Sequence, residues 1–261
     1  MLTPPEIARS LLAVGESKAR LPFGKMLLLA ILAGAYIALA GVGATAAAVT
    51  VESGSLAKLL SACVFPAGLS MVILAGSELF TGNCLMVMAL LERRITPVQL
   101  LRNWLTVYLG NAVGGAAVAA LAVYSHTASL FGDGLARSMV SIAESKAALG
   151  AGDAFLRGVL CNFLVCLAVW MAAASKRAEG KVIALFFPIL LFVLCGYEHC
   201  IANLYYLPAG AFAAAEYGVE TTLTLAGCLE NLAAVTLGNL VGGAALGVGY
   251  RCLLYTSPSP R

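Results

Sequence analysis

Long hydrophobic segments separated by short polar stretches run along most of the chain. A helix needs about 20 mostly apolar residues to cross a bilayer. Six segments meet that length, at residues 26–48, 56–92, 103–125, 154–174, 182–215 and 225–250. The second and fifth are too long for one helix and are interrupted by polar residues at 77–83 and 197–203. The pattern therefore predicts six spans, of which the second and fifth are broken helices.

The composition agrees with a chain that lies mostly in a bilayer. Of its 261 residues, 61% are hydrophobic and 11% are charged, and a water-soluble core could not bury so much apolar surface. The net charge is only +3 and the basic residues form no stripe, so we expect no nucleic-acid partner. The eight cysteines contain no Cys-x-x-Cys pair, and we expect neither a metal nor a cofactor.

The basic residues predict the orientation of the chain. Of the 16 lysines and arginines, twelve lie before the first segment or after the second, fourth or sixth, and four lie on the other side. Those four are Lys58, Arg137, Lys146 and Arg157. Because positively charged loops stay in the cytoplasm, we expect a multi-pass protein of the cytoplasmic (inner) membrane with both termini inside.

The spans divide the chain into three predicted regions. Residues 1–25 form an N-terminal helical region, in which Thr3-Pro4-Pro5-Glu6 has the form of a helix start. Its apolar side suits either the membrane interface or packing under the helix bundle. Residues 26–252 form the predicted six-helix transmembrane domain. Residues 253–261 form a C-terminal tail, and whether its low-complexity end at 256–261 is native stays open.

Two motifs each occur twice, in the same order. Gly-x-Glu, four residues and Asn occur at 76–83 and at 196–203. Leu-Gly-Asn-x-Val-Gly-Gly-Ala-Ala occurs at 109–117 and at 237–245. The chain is therefore predicted to consist of two three-span units, and because three is odd the units are inverted. Inverted repeats with broken helices place a binding or permeation site near the middle of the bilayer.

Polar groups inside apolar segments mark candidate residues of that site, because such groups are costly in hydrocarbon. His199 lies in the second break, and imidazole changes charge near neutral pH and can donate to an anion. Thr81 lies in the first break and offers a hydroxyl donor. For Glu78 and Glu198 we favour a bracing role, in which each accepts backbone N–H groups that the breaks set free.

Other residues of the spans give weaker signals. The amides of Asn162 and Asn239 could cross-link helices or point donors at a pore. Phe65, Leu69 and Phe192 lie in the half-helices that lead to the breaks, at spacings that allow apolar constrictions on either side of a central site. On the residues alone, we favour packing in the core or against lipid for Phe65, Leu69 and Phe192.

Several of these stretches together resemble the formate/nitrite transporters. They are Leu-Phe-Thr at 79–81 after an acidic residue, Arg-Gly-Val-Leu-Cys-Asn at 157–162, Gly-Tyr-Glu-His-Cys-Ile-Ala-Asn-Leu at 196–204 and Leu-Gly-Asn at 237–239. The resemblance covers all but the last few residues. It implies an all-α, aquaporin-like six-helix protomer with an inverted 3+3 repeat, assembled as a homopentamer in the lipid bilayer with one pore in each subunit.

The resemblance also implies residue roles and a function. The central selectivity pair matches His199 and Thr81, and the apolar constrictions match Phe65, Leu69 and Phe192. The vestibule lysine that attracts anions matches Lys146, and the polar groups around the histidine match Glu198, Asn162 and Asn239. The implied function is a pH-dependent channel for small monovalent anions, with formate first and nitrite or hydrosulfide as alternatives. Whether the histidine donates a proton or only holds the anion stays open.

Two other classes of function fit less well. An aquaporin-type channel for neutral solutes would need Asn-Pro-Ala at both half-helix starts, whereas Asn83 precedes Cys84 and Asn203 precedes Leu204. A membrane-embedded hydrolase would use a nucleophile elbow, and no Gly-x-Ser-x-Gly occurs. We therefore expect no enzymatic activity.

Overall fold

The computed structural model describes residues 1–255, and the predicted low-complexity end at 256–261 lies outside the described residues. Residues 1–255 form helices and no strands. The α-helices are α1 (Pro4–Ala19), α2 (Phe23–Ala48), α3 (Gly54–Val64), α4 (Pro66–Ala75), α5 (Phe80–Asn83), α6 (Val87–Leu91), α7 (Pro97–Tyr124), α8 (Gly134–Ala147), α9 (Ala151–Ala173), α10 (Ala178–Leu194), α11 (Cys200–Tyr217) and α12 (Leu225–Arg251).

Six membrane-spanning units arise from these helices, as the hydrophobic pattern predicts. Four are the continuous helices α2, α7, α9 and α12, and two are the broken sets α3–α6 and α10–α11. By length and composition, five stretches of residues 1–255 could each cross a membrane alone: Phe23–Ala48, Gly54–Ala75, Pro97–Tyr124, Ala151–Ala173 and Leu225–Leu254. The fifth predicted segment is not among them because it is divided into α10, of 17 residues, and α11, of 18 residues.

The two breaks have the same backbone design. Gly76 follows α4 with a φ of +76°, and Gly196 follows α10 with a φ of +69°, a left-handed region that glycine enters without a steric penalty. The chain then runs extended to Leu79 and His199, which are the N-cap residues of α5 and α11. The repeated glycine is therefore what lets each span stop and restart within the bundle.

An asparagine from the third span of each unit closes each break. The Phe80 backbone N–H donates to Asn111 Oδ1 over 3.0 Å, and the Cys200 N–H donates to Asn239 Oδ1 over 2.9 Å. Both side-chain NH₂ groups donate to backbone carbonyls, namely those of Ala30 and Glu78 in the first unit and those of Gly158 and Glu198 in the second. Each amide therefore links three helical segments and satisfies backbone groups that lipid could not.

Each repeated unit is larger than the three spans that the sequence analysis predicts. Helices α1 and α8 share Ala-Arg-Ser at 8–10 and 136–138 and Glu-Ser-Lys-Ala at 16–19 and 144–147, at the same offset as the Leu-Gly-Asn motifs. Each unit is therefore an amphipathic helix followed by three spans, α1–α7 and α8–α12.

Helix α1 packs against the bundle. Its buried residues Ile7, Ala8 and Leu12 belong to a cluster with Met88 and Trp170 of the spans. The Thr3 backbone N–H and hydroxyl both donate to the Glu6 carboxylate over 2.7 Å, which fixes the predicted helix start. Of the two placements that the sequence left open for α1, the structure shows packing under the bundle.

Glycines allow α7 to approach α2 and α12 to approach α9. A Cβ added at Gly114 would lie 2.0 Å from the Ile31 carbonyl oxygen, and one at Gly242 would lie 2.1 Å from the Val159 carbonyl oxygen. Both neighbours are backbone atoms of a packed helix, so neither can move aside alone.

We expect Gly242→Ala to destabilise the protein by about 1–3 kcal/mol, the usual range for an overpacked core. Gly249→Ala, on the same helix with no atom within 4 Å of the added Cβ, is the matched control. Thermal unfolding of the detergent-purified protein measures both, and equal midpoints for the two variants would contradict the packing argument.

Candidate functional site

Three cavities follow one another through the protomer. We call the cavity that has Lys146 on its wall the outer cavity, after the side of the membrane that the basic residues predict for it. It has a volume of about 130 Å³ and reaches Phe65, Phe192 and His199. A central cavity of about 10 Å³ shares those three residues and is also walled by Leu69 and Leu79. The inner cavity, of about 60 Å³, begins at the same two leucines. Because neighbouring cavities share wall residues, they trace one path.

Apolar side chains narrow this path at two places. The outer constriction is formed by Phe65 and Phe192, whose rings meet edge to face with centroids 5.7 Å apart. The inner constriction is formed by Leu69 and Leu79, both buried. A water molecule needs about 10–15 Å³, so the central cavity between the constrictions is too small for a polyatomic anion. The structure therefore shows the path closed.

His199 and Thr81 are hydrogen-bonded beside the central cavity. Thr81 Oγ1 lies 3.0 Å from His199 Nε2, and the Ala202 backbone N–H donates to His199 Nδ1 over 3.1 Å. Because Nδ1 accepts, we assign the neutral ring its proton on Nε2, which donates to the threonine oxygen. His199 is 3% exposed and Thr81 is fully buried, so this hydrogen bond is shielded from water.

The two repeated units differ at this centre. His199 is the N-cap residue of α11, and the equivalent N-cap of α5 is Leu79. Thr81 occupies the second position of α5, where α11 has Ile201. Each unit therefore contributes one polar residue and one apolar residue. The sequence analysis did not include Leu79 among the constrictions, although aligning the two Gly-x-Glu motifs would have identified it as the partner position of His199.

Asn162 and Asn239 lie next to the pair but do not line the three cavities. The Asn162 side chain donates to the carbonyl oxygens of Thr81, over 3.2 Å, and of Asn239, over 2.6 Å. It therefore holds the backbone of the first break against α12. Both asparagines position the site by binding its backbone.

The glutamate of each break forms an ion pair with a lysine. Lys146 contacts both oxygens of Glu198, at 2.9 and 3.0 Å, and Lys18 lies 3.0 Å from Glu78. Each glutamate also accepts from an asparagine, Asn203 at 2.7 Å or Asn83 at 2.8 Å. Among residues 1–255 no backbone N–H donates to either carboxylate, so the backbone partners that the sequence analysis assigned to these glutamates are wrong.

Lys18 is a site residue that the sequence analysis missed. It lies in the last turn of α1 and on the wall of the inner cavity, as Lys146 lies in the last turn of α8 and on the wall of the outer cavity. The repeated Glu-Ser-Lys-Ala was the signal that could have identified it. In both units the glutamate of that motif contacts the loop before the third span. Glu16 binds Arg94 at 2.8 Å, and Glu144 accepts from Thr221 and Thr222 in the loop before α12.

Comparison with known proteins gives one consistent picture. The sequence profile described as "Formate/nitrite transporter" matches residues 5–253. The chain is 39% identical to the "Probable formate transporter" of Methanothermobacter thermautotrophicus, over 93% of each chain. It is 40% identical to "Formate channel FocA" of Haemophilus influenzae, over 86% of this chain and 84% of that one. A solved structure titled "Pentameric formate channel with formate bound" superposes with a TM-score of 0.80 at 31% identity, covering 89% of this chain and 97% of that one.

Proposed function

The chain belongs to the formate/nitrite transporter family of channels and transporters, and from that premise we propose that this multi-pass membrane protein is a pH-dependent formate channel. The observation that supports it most directly is the path of three cavities with His199 on the wall of two of them, hydrogen-bonded to the buried Thr81 beside the path. We prefer formate to nitrite or hydrosulfide because both relatives described above carry formate in their names.

The apolar constrictions dictate the chemical form in which formate crosses. A bare carboxylate loses its hydration between Phe65, Phe192, Leu69 and Leu79, which is costly in a medium of low dielectric constant. The neutral acid avoids that cost. We therefore propose that formate is protonated in the outer part of the path and passes the leucines as formic acid.

His199 is the group that we propose for the proton transfer. It lines the outer and the central cavity, so it can take up a proton from water on the outer side. Because Nε2 already carries a proton, the second proton binds Nδ1, which gives up the bond that it accepts from the Ala202 N–H. The imidazolium then gives one ring proton to a carboxylate oxygen of formate, which leaves formic acid and neutral imidazole. Two opposite charges are thereby converted into two neutral species, as burial favours. Thr81 holds Nε2 in a fixed direction during this step.

The assembly and the domain limits are part of the same proposal. We propose a homopentamer, because the chain superposes on a channel that is titled pentameric. We propose that residues 26–252 form the channel domain and that residues 1–25 brace it from the cytoplasmic side. Because the family consists of channels and transporters, we propose transport and no enzymatic turnover.

Uptake into liposomes tests the choice of anion. Formate, nitrite, hydrosulfide and lactate are compared at pH 5.5 and pH 7.5, with protein-free liposomes as the blank. We expect formate to be taken up fastest, and faster at the lower pH. Faster uptake of nitrite or hydrosulfide would assign the chain to another branch of the family.

The orientation is tested by cysteine labelling. Single cysteines at Arg94 and Lys176 of a cysteine-free variant are expected to react only with a reagent applied from the cytoplasmic side, and a cysteine at Arg137 only from outside. The reason is the asymmetry of the basic residues. Labelling of position 94 or 176 from outside would contradict the proposed orientation.

A further inference from the structure

Lys58 lies in the second turn of α3, is exposed, and lines the outer cavity together with Lys146, Glu198 and His199. We propose that Lys58, and not Lys146, gives the outer cavity its net positive charge and draws anions into it. This role rests on the proposed function, because it adds a residue that sets how readily the anion reaches His199.

Lys146 cannot supply that charge alone. Its ammonium group makes two contacts with the Glu198 carboxylate, at 2.9 and 3.0 Å, and also lies 5.3 Å from the centre of the Tyr206 ring. The lysine–glutamate pair has no net charge. Its field at the cavity mouth is that of a dipole, which weakens with distance faster than the field of a single ion.

Lys58 has no counter-ion within residues 1–255. Among residues 1–255 it donates no hydrogen bond and has no carboxylate within 4 Å. The charged groups near it are the Lys146–Glu198 pair, whose charges cancel, and Arg157, which has the same sign as Lys58. The charged side chains on the cavity wall are Lys58, Lys146 and Glu198, which leaves one positive charge.

The two repeated units differ in charge at this position. Aligning the two Gly-x-Glu motifs places Ala178, at the start of α10, opposite Lys58 of α3. The inner cavity has Lys18 as the charged residue of its wall, and Lys18 is paired with Glu78. The fold itself therefore does not require a cation at position 58, whereas recruitment of anions does, since clefts of one sign raise the local concentration of counter-ions.

The test is the concentration dependence of formate uptake by Lys58→Gln, measured in liposomes with the protein inserted in one orientation and formate added on the outer side. We expect the half-saturating concentration to rise about threefold to tenfold at low ionic strength, with an unchanged maximal rate, because loss of a steering charge slows association. At about 0.15 M salt the difference should shrink, since exposed charges are screened within roughly 8 Å. Lys58→Arg should behave like the wild type.

Arg137→Gln is the control, since Arg137 lies on the same predicted side of the membrane but does not line the outer cavity. An equal rise in that variant would mean that general surface charge, not Lys58, recruits the anion. If the wild type takes up formate, an unchanged half-saturating concentration in Lys58→Gln would overturn the assignment. A half-saturating concentration in Lys58→Arg as high as that in Lys58→Gln would also overturn it. A wild type whose half-saturating concentration ignores ionic strength would also overturn it. Absence of wild-type formate uptake would instead refute the proposed function.

Discussion

Replacing Glu198 with glutamine is expected to lower the thermal stability of the protein far more than replacing Glu179 with glutamine. Lys146 and Glu198 are 16% and 9% exposed in their side chains, so the variant leaves an ammonium group partly buried without its carboxylate. Removing one partner of a buried pair costs about 3–5 kcal/mol, and partial exposure of Lys146 places the effect near the lower end. Glu179 pairs with Arg177 on the surface, where a salt bridge contributes at most about 1 kcal/mol.

A double-mutant cycle separates the pair from the rest of the network. Lys146→Met combined with Glu198→Gln is expected to recover part of the stability that each single variant loses, because no unpaired charge is left. Thermal unfolding in detergent gives the four midpoints, and size-exclusion chromatography gives the assembly state. Normal stability of Glu198→Gln, together with an altered preference among anions, would show that Glu198 acts on the anion and not as a brace.

Replacing His199 with alanine is expected to leave a folded, assembled protein whose formate movement no longer brings a proton. The side chain makes hydrogen bonds to Thr81 and to the Ala202 N–H, and the break keeps its glycine and its Asn239 contacts without them. Glu198, which lines the outer cavity beside His199, is the rival proton donor.

Electrical recording separates these two candidates. If His199 supplies the proton, residual formate movement through His199→Ala carries net charge, whereas movement through the wild type is electrically silent. If Glu198 supplies it, Glu198→Gln becomes electrogenic and His199→Ala stays silent. Thr81→Val keeps the shape of the side chain but removes the hydroxyl. If Thr81 only orients Nε2, formate movement through this variant should lose part of its proton coupling, less than in His199→Ala.

Much of this fold could be predicted because its determinants are local. Apolar length predicts the spans, and the repeated Gly-x-Glu predicts the breaks, since only glycine enters the left-handed region at Gly76 and Gly196 without strain. The site was harder to predict. Leu79 has no chemistry that marks it, and Lys18 is one of many basic residues before the first span. Their roles depend on which surfaces the inverted units bring together across long sequence distances.

The partners of Glu78 and Glu198 show the same limit. Freed backbone N–H groups were the reasonable expectation. Asn111 and Asn239 accept from those of Phe80 and Cys200, and the carbonyl oxygens of Leu29 and Arg157 accept from those of Glu78 and Glu198. The carboxylates are then left for lysines from α1 and α8, which are distant in sequence from both breaks.

The most direct test of the central claim is to record formate uptake and internal pH in the same wild-type liposomes. Because the neutral acid is proposed to cross the inner constriction, each formate that enters must bring a proton. We therefore predict acidification of the lumen in proportion to the formate taken up, without any effect of membrane voltage on the rate. Voltage-dependent formate uptake at constant internal pH would show that the bare anion crosses, and would contradict the account.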